Sequence, residues 1–297
     1  MTGLTCIAPV GDWCGEAATW AASEDAVYWV DINRFLVHRH HTGASATRSW
    51  QFDEPVVALS LTQRDDALLV ATGSGLLLWR PEDDSRAPFG WELPGWPNVR
   101  LNDGRPDPRG DFWVGSMKNN VLHDGEQGDV AAGHGILYRI SPDGRSSVWR
   151  EDIGISNTLC WSPDGTRFYF GDTLENEIRV FDVDTNSGDI SNDRPFFAGF
   201  DRGLPDGSTM DAEGHLWNCR WAGGCVVRVD PEGRVDRVID LPVSNVTTCT
   251  FGGPGLATLY VTTASVNRGA GERLAGGLFA LEPGVAGLPE NRFGWNG

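Results

Sequence analysis

Four short strings in this 297-residue chain set a side-chain oxygen beside glycine, serine or proline: Cys14-Gly-Glu16, Leu101-Asn-Asp-Gly104, Ile155-Ser-Asn157 and Leu204-Pro-Asp-Gly207. The side chains that could do chemistry are Glu16, Asn102, Asn157 and Asp206. Two carboxylates with one or two carboxamide oxygens make a hard, oxygen-only donor set, suited to one divalent ion (Ca²⁺, Mg²⁺, Mn²⁺ or Zn²⁺) with water completing its shell. Taken singly, Asn-Asp-Gly and Pro-Asp-Gly are ordinary turn strings. Glu16 is different, because Glu has no turn preference. What decides between ligand and turn is whether the fold brings the four together.

The elements that would do so recur along the chain. One family of apolar segments comprises Ala26-Val-Tyr-Trp-Val-Asp31, Ala67-Leu-Leu-Val-Ala71, Asp111-Phe-Trp-Val-Gly115, Arg167-Phe-Tyr-Phe-Gly171, His215-Leu-Trp-Asn-Cys219 and Thr258-Leu-Tyr-Val-Thr262. A second family follows in register, beginning at Arg34, Gly75, Gly135, Glu177, Gly224 and Gly276. Acidic and glycine turns such as Ser162-Pro-Asp-Gly165 and Asp230-Pro-Glu-Gly233 punctuate them,. Six recurrences give about 50 residues per unit, near the length of a four-stranded propeller blade. The expected fold is all-β: a six-bladed β-propeller of four-stranded antiparallel blades around a central channel, residues 1–297 forming one domain. Counting back about 11 to 13 positions from the first-family core residues gives Glu16, Val57, Asn102, Asn157, Asp206 and Thr248. In a propeller the first strand of each blade lines the channel, so these positions should converge at one end of it. Two long insertions, residues 116–133 and 263–275, interrupt the third and sixth units, and such insertions tend to carry function.

Composition narrows the partners. Asp plus Glu number 41 against 24 Lys plus Arg, a net charge of −17, which excludes a phosphate-binding surface for nucleic acid. No apolar run is long enough for a membrane span, and no basic-then-apolar leader opens the chain. A cytoplasmic monomer is expected. The six cysteines lack metal-site or redox spacing and read as buried free thiols,. His38, His40 and His41 fall at a hairpin edge and are expected at the surface. Asp103 reads as a turn-stabilising side chain, Lys118 as an incidental lysine at an insertion's start, and Ser156 and Ser208 lack the G-x-S-x-G setting of a nucleophile,.

At these motifs the chain resembles the gluconolactonase and regucalcin (senescence marker protein) family. The resemblance rests on Gly15-Glu16 ahead of Tyr28-Trp-Val-Asp31, Arg100-Leu-Asn-Asp-Gly104 with Asp107-Pro-Arg-Gly-Asp-Phe-Trp-Val-Gly-Ser-Met117, and Ile155-Ser-Asn157 with Trp161-Ser-Pro-Asp-Gly165. It continues through Leu204-Pro-Asp-Gly207 with Asp211-Ala-Glu-Gly-His-Leu-Trp217, and Cys249-Thr-Phe-Gly-Gly253 with Leu259-Tyr-Val-Thr-Thr263. The resemblance implies hydrolysis of a sugar lactone with a divalent metal. Glu16, Asn157 and Asp206 match the family's metal ligands, and Asp206 would also be the general base toward water. Arg100 and Asn102 match its substrate-contacting pair, and Asn120 stands where some members have a substrate-reaching Glu. Two other functions fit the same scaffold: a metal-dependent ester or organophosphate hydrolase, and a non-catalytic Ca²⁺-binding propeller.

Overall fold

The computed structural model describes residues 3–297; Met1 and Thr2, where the reading of the amino terminus and of the domain begins, lie outside the described residues. Six four-stranded antiparallel sheets follow one another along the chain. Their inner strands are Gly15–Ala21, Val56–Leu61, Val99–Pro106, Ser156–Trp161, Leu204–Met210 and Val246–Gly252. Each inner strand packs against the inner strands of the sheets before and after it, and the sixth returns to the first. The result is the expected six-bladed propeller, with a single 3-10 turn at Pro254–Leu256 as the helical structure among the described residues. No helix is long and apolar enough to cross a membrane.

The first sequence family forms the second strand of each blade and the second family the third. Five blades run inner to outer in chain order. In the sixth, the outer strand is Thr5–Ala8, from the start of the chain, paired with Leu278–Leu281. A strand near the start of the chain thereby completes the sheet of the last blade, a closure the repeat pattern did not announce. Between the blades lie apolar seams. One gathers Trp113, Leu137, Leu159, Trp161 and Phe168, and Trp29, Trp79, Trp113 and Trp217 are wholly buried.

Aspartates fasten some of the turns to the core. In Asp107-Pro-Arg-Gly-Asp-Phe-Trp113, one Asp107 oxygen accepts the backbone N–H groups of Arg109 and Asp111, and the other accepts Trp113 Nε1 at 2.9 Å. Asp211-Ala-Glu-Gly-His-Leu-Trp217 repeats this arrangement, with Asp211 accepting from the Glu213 and His215 backbones and from Trp217 Nε1 at 2.8 Å. Each such Asp joins the tip of a hairpin to a core tryptophan.

Two expectations are corrected. His38 and His40 are buried, 2% and 3% exposed: Ser49 and Asp12 flank the His38 ring, and Thr47 meets His40. The third strand of a blade lies between two others, so its alternate side chains enter the seam whatever their polarity. Among the cysteines all six are free, but Cys6 and Cys14 are only half-buried.

Candidate metal and substrate site

Glu16, Asn102, Asn157 and Asp206 do converge. All four line one cavity of about 220 Å³ at an end of the channel, together with Arg100 and Asn120. The inner strands position them by a shared irregularity. Every inner strand loses register with its neighbour at the counted position: between Glu16 and Thr19, Val56 and Ala58, Leu101 and Gly104, Asn157 and Cys160, Pro205 and Ser208, and Val246 and Cys249. A bulge re-aims a side chain, and four of the six here bring one to the cavity: Glu16, Asn102, Asn157 and Asp206. After Glu16 and Asn157 the bulge places Ala17 and Thr158 at φ 56°, left-handed backbone for residues other than glycine. Asn-Asp-Gly104 and Pro-Asp-Gly207 are therefore not turns. A Cβ on Gly207 would lie 2.1 Å from Thr248 Oγ1, and one on Gly104 2.6 Å from the Phe112 ring. Those glycines let neighbouring strands and side chains close in beneath Asn102 and Asp206.

Partners from other strands set the orientation of each group. Thr173 Oγ1 donates to the Pro205 carbonyl at 2.8 Å, so toward Asn157 it can only accept, and it takes the Asn157 Nδ2 hydrogen at 2.8 Å. Asn157 Oδ1 is left facing the other way, with Asn102 Nδ2 3.4 Å from it. Asp206 is anchored through its backbone carbonyl, which accepts from Thr158 Oγ1 at 2.6 Å and Asn218 Nδ2 at 3.1 Å. Glu16 Oε2 accepts from the Ala17 N–H at 2.9 Å.

Neither carboxylate is ion-paired among the described residues. Burial pushes the Glu16 carboxyl well above the usual range, and repulsion from Asp206 and Asp103 adds to it. Asp206 is likewise raised, by burial and then by Asp103, with Arg220 a partial counterweight. Buried carboxylates at close quarters without a cation are an incomplete arrangement, since each charge is left desolvated and repelled. A divalent cation would complete it, and two carboxylates with an oriented carboxamide oxygen fit such an ion.

Arg100 is buried, 4% exposed, which pushes its guanidinium down to about 10. Its Nε and Nη2 both donate to Asn120 Oδ1, at 3.1 and 2.8 Å, while Nη1 donates to the Leu101 carbonyl and to Asn102 Oδ1, at 2.8 and 2.7 Å. A guanidinium has five N–H donors, so one remains for a ligand. Because it cannot accept, it forces both carboxamides to present their oxygens to it. Asn102 Nδ2 then donates to the Ser156 carbonyl at 2.8 Å, and Asn120 Nδ2 is turned from Arg100.

The sequence reading missed the residues that hold the strands bearing Glu16, Asn157 and Asp206. Asp31 accepts the N–H groups of Trp13 and Cys14, just ahead of Glu16. Asp172 accepts those of Gly154 and Ile155, just ahead of Asn157. Arg220, 1% exposed, donates to the Gly203 and Arg202 carbonyls ahead of Asp206. A charged residue at the last or next-to-last position of an apolar second strand is the signal that marks them. The insertions add Asn120, Gln127, Val130, Val266 and Asn267 to the lining, and Asn267 Nδ2 donates to Gln127 Oε1 at 3.0 Å, joining the two insertions. A separate acidic group, Asp211, Glu213 and His215, brings ligand-type atoms within 4.8 Å of one another. Asp211 is already engaged by Trp217, two backbone N–H groups and Arg228.

Residues 14–265 match the model of the SMP-30/gluconolactonase/LRE-like region. The chain belongs to that family. Its SMP-30/gluconolactonase relatives include the pentonolactonase XacC of Haloferax volcanii, 33% identical over 287 residues and covering 94% of both chains. Regucalcin of Oryctolagus cuniculus is 31% identical over 296 residues, 96% of both chains. Among solved structures, a calcium-binding protein, regucalcin, from Agrobacterium tumefaciens superposes with a TM-score of 0.89 at 28% identity, over 97% of this chain and 96% of that one.

Proposed function

We propose that this protein hydrolyses a sugar (aldono) lactone to the aldonic acid with one divalent metal ion held by Glu16, Asn157 and Asp206. The observation that carries this reading is the pair of buried, unpaired carboxylates beside the oriented oxygen of Asn157, under a cavity walled by Arg100 and carboxamides. Such an ion, whether Ca²⁺, Zn²⁺, Mn²⁺ or Mg²⁺, would act as a Lewis acid on the lactone carbonyl, an effect worth several kcal/mol. Asp206 accepts the proton of the attacking water as its oxygen bonds to the carbonyl carbon. The ring C–O bond then breaks, and the ring oxygen leaves as a hydroxyl carrying that proton. A positioned base of this kind contributes about 10²- to 10⁴-fold. The free N–H of Arg100 and Asn120 Nδ2 donate to substrate oxygens, and Asn102 holds the Asn157 side of the site. Carboxamides suit a polyhydroxylated ligand better than an aryl ester or a phosphotriester, which a more apolar pocket would take.

The test strips the protein with chelator, restores single metals, and follows acid release from aldono-1,4- and 1,5-lactones beside aryl esters and phosphotriesters. Metal-dependent turnover of a sugar lactone is expected, with Asp206→Asn lowering kcat by at least about 100-fold. Full activity in Asp206→Asn would remove the base assignment. Metal binding with no turnover of any substrate would favour the non-catalytic Ca²⁺-binding reading.

A further inference from the structure

The fourth residue of each first-family segment occupies one place in its blade, and in five blades it is apolar and wholly buried: Trp29, Val70, Val114, Phe170 and Val261. In blade 5 that place holds Asn218, also wholly buried, opposite Ser208 and outside the cavity lining. A buried carboxamide where the fold elsewhere puts a hydrocarbon needs partners, and Asn218 has them in a chain of hydrogen bonds directed from both ends. Arg220 begins the chain. Its guanidinium meets only neutral oxygens, among them Asn176 Oδ1 at 2.7 Å and Asn218 Oδ1 at 3.1 Å. Because a guanidinium cannot accept, Asn218 turns Nδ2 the other way and donates to Ser208 Oγ at 3.0 Å and to the Asp206 carbonyl at 3.1 Å. That carbonyl, which cannot donate, also takes the Thr158 hydroxyl hydrogen at 2.6 Å. The 2.9 Å contact between the Thr158 and Ser208 hydroxyls is then made by the Ser208 hydrogen.

The chain ends where two inner strands bulge. Blade 4 loses register between Asn157 and Cys160, and blade 5 between Pro205 and Ser208. Thr158 therefore adjoins one candidate ligand, and the carbonyl it bonds belongs to another. We propose that Asn218 is a positioning residue: it ties the two bulges together, fixes the spacing of Asn157 and Asp206, and so decides which divalent ion fits between them. This rests on the metal site of the reading above. Mg²⁺ takes oxygens at about 2.0–2.1 Å and Ca²⁺ at about 2.3–2.6 Å, so a spacing held by the protein separates the two ions, and a spacing free to adjust separates them less.

Calorimetric titration of the chelator-stripped protein with Ca²⁺ and with Mg²⁺ gives the ratio of the two dissociation constants. Asn218→Val installs the side chain that Val70, Val114 and Val261 supply at this place in other blades, and removes the amide. Affinity for the better-held ion should fall by about 10- to 100-fold and that for the other by less, so the ratio shrinks. Thr158→Val breaks the chain at its other end with the same branched shape and should move the ratio in the same direction. Thr158→Ser keeps the hydroxyl and should keep the wild-type ratio. Should Asn218→Val fail to fold, the two Thr158 variants decide. Equal losses for both ions, a ratio unchanged in Asn218→Val and Thr158→Val, a Thr158→Ser that behaves as Thr158→Val, or a wild type that does not separate Ca²⁺ from Mg²⁺ overturns this inference and leaves the lactonase reading standing. A wild type that binds neither of these ions, nor Mn²⁺ or Zn²⁺, overturns both.

Discussion

Glu16 and Asp206 carry the sharpest consequence at the scale of single residues. Both carboxyls are raised by burial, and Glu16 further by Asp206 itself, so without metal the native state holds protons that the unfolded chain releases. A group whose folded pKa lies above its unfolded value draws stability from its protonated form, and this is lost as pH rises from the ordinary carboxylate range through the raised one. The metal-free protein is therefore expected to lose thermal stability on going from about pH 5.5 to about pH 8, and divalent metal should restore it most strongly at the higher pH, where ligands need not shed protons. Glu16→Gln isolates this term. It removes one of the repelling charges, so it should raise the Tm of the metal-free protein at about pH 8 by a few degrees, at about 2–4 °C for each kcal/mol relieved in a domain this size, and abolish the stabilisation by metal. Thermal scans at both pH values with and without metal check this, and a Glu16→Gln protein that metal still stabilises would exclude Glu16 as a ligand. These residues were legible by type and register alone. Which atom each presents was not, because Asn157 is oriented by Thr173 and Asn120 by Arg100, partners that only the folded chain supplies.

The blade's four strands differ in how far the sequence betrays them. The second strands are buried on both faces and read as apolar runs, as in Ala26–Asp31 and Arg167–Asp172, whereas third strands such as Leu36–His41 and Glu177–Val183 mix polar residues into a partly buried pattern. Outer strands such as Ala46–Gln51 and Val235–Asp240 are mostly exposed and carry no apolar period. Inner strands hide for another reason. Gly15–Ala21 is buried throughout yet holds Gly, Glu and Thr, and its bulge breaks the two-residue alternation by which a strand is recognised. The clamps Asp31 and Asp172 tie each bulged strand to its neighbour, so a positioning role can be tested without touching a ligand. Asp172→Asn replaces an acceptor of the Gly154, Ile155 and Leu174 N–H groups by an amide whose NH₂ meets some of those donors. Weakening a ligand's supporting partner lowers metal affinity by about 10- to 100-fold, and a loss of that size is expected in calorimetric titration, alongside about 1–3 kcal/mol of stability. A variant that loses stability but binds metal as the wild type does would make Asp172 purely structural.

At the scale of the whole molecule, buried turn aspartates such as Asp107 and Asp211 fasten hairpins to core tryptophans, and segments near the two ends of the chain fasten the ring. The start of the chain supplies the outer strand of blade 6. The end of the chain forms a strap over the mouth opposite the site. Ala286 accepts from the Ala212 N–H, Gly287 donates to Leu256, Glu290 accepts from Thr250, and Phe293 and Gly294 donate to Leu61 and Gly110 at 2.8 Å each. The strap thus runs from blades 5 and 6 to blades 2 and 3. Phe293, wholly buried, is its anchor, edge-on to Phe89 and Phe112 at ring separations of 5.3 and 6.4 Å. Truncating a buried phenylalanine to alanine costs about 3–5 kcal/mol, so Phe293→Ala should lower Tm by roughly 6–20 °C at 2–4 °C per kcal/mol. The strap touches inner strands only at their far ends, as where Asn291 Nδ2 donates to the Pro106 carbonyl at 3.1 Å, away from the bulges that bear Glu16, Asn157 and Asp206. Metal affinity of the folded Phe293→Ala protein, measured well below its Tm, should therefore stay within about twofold of wild type, as expected for distant, independent sites. A small change in Tm would show that the ring is closed by the Thr5–Ala8 strand alone, and a parallel loss of metal affinity would show that the two mouths of the channel are coupled through the inner strands.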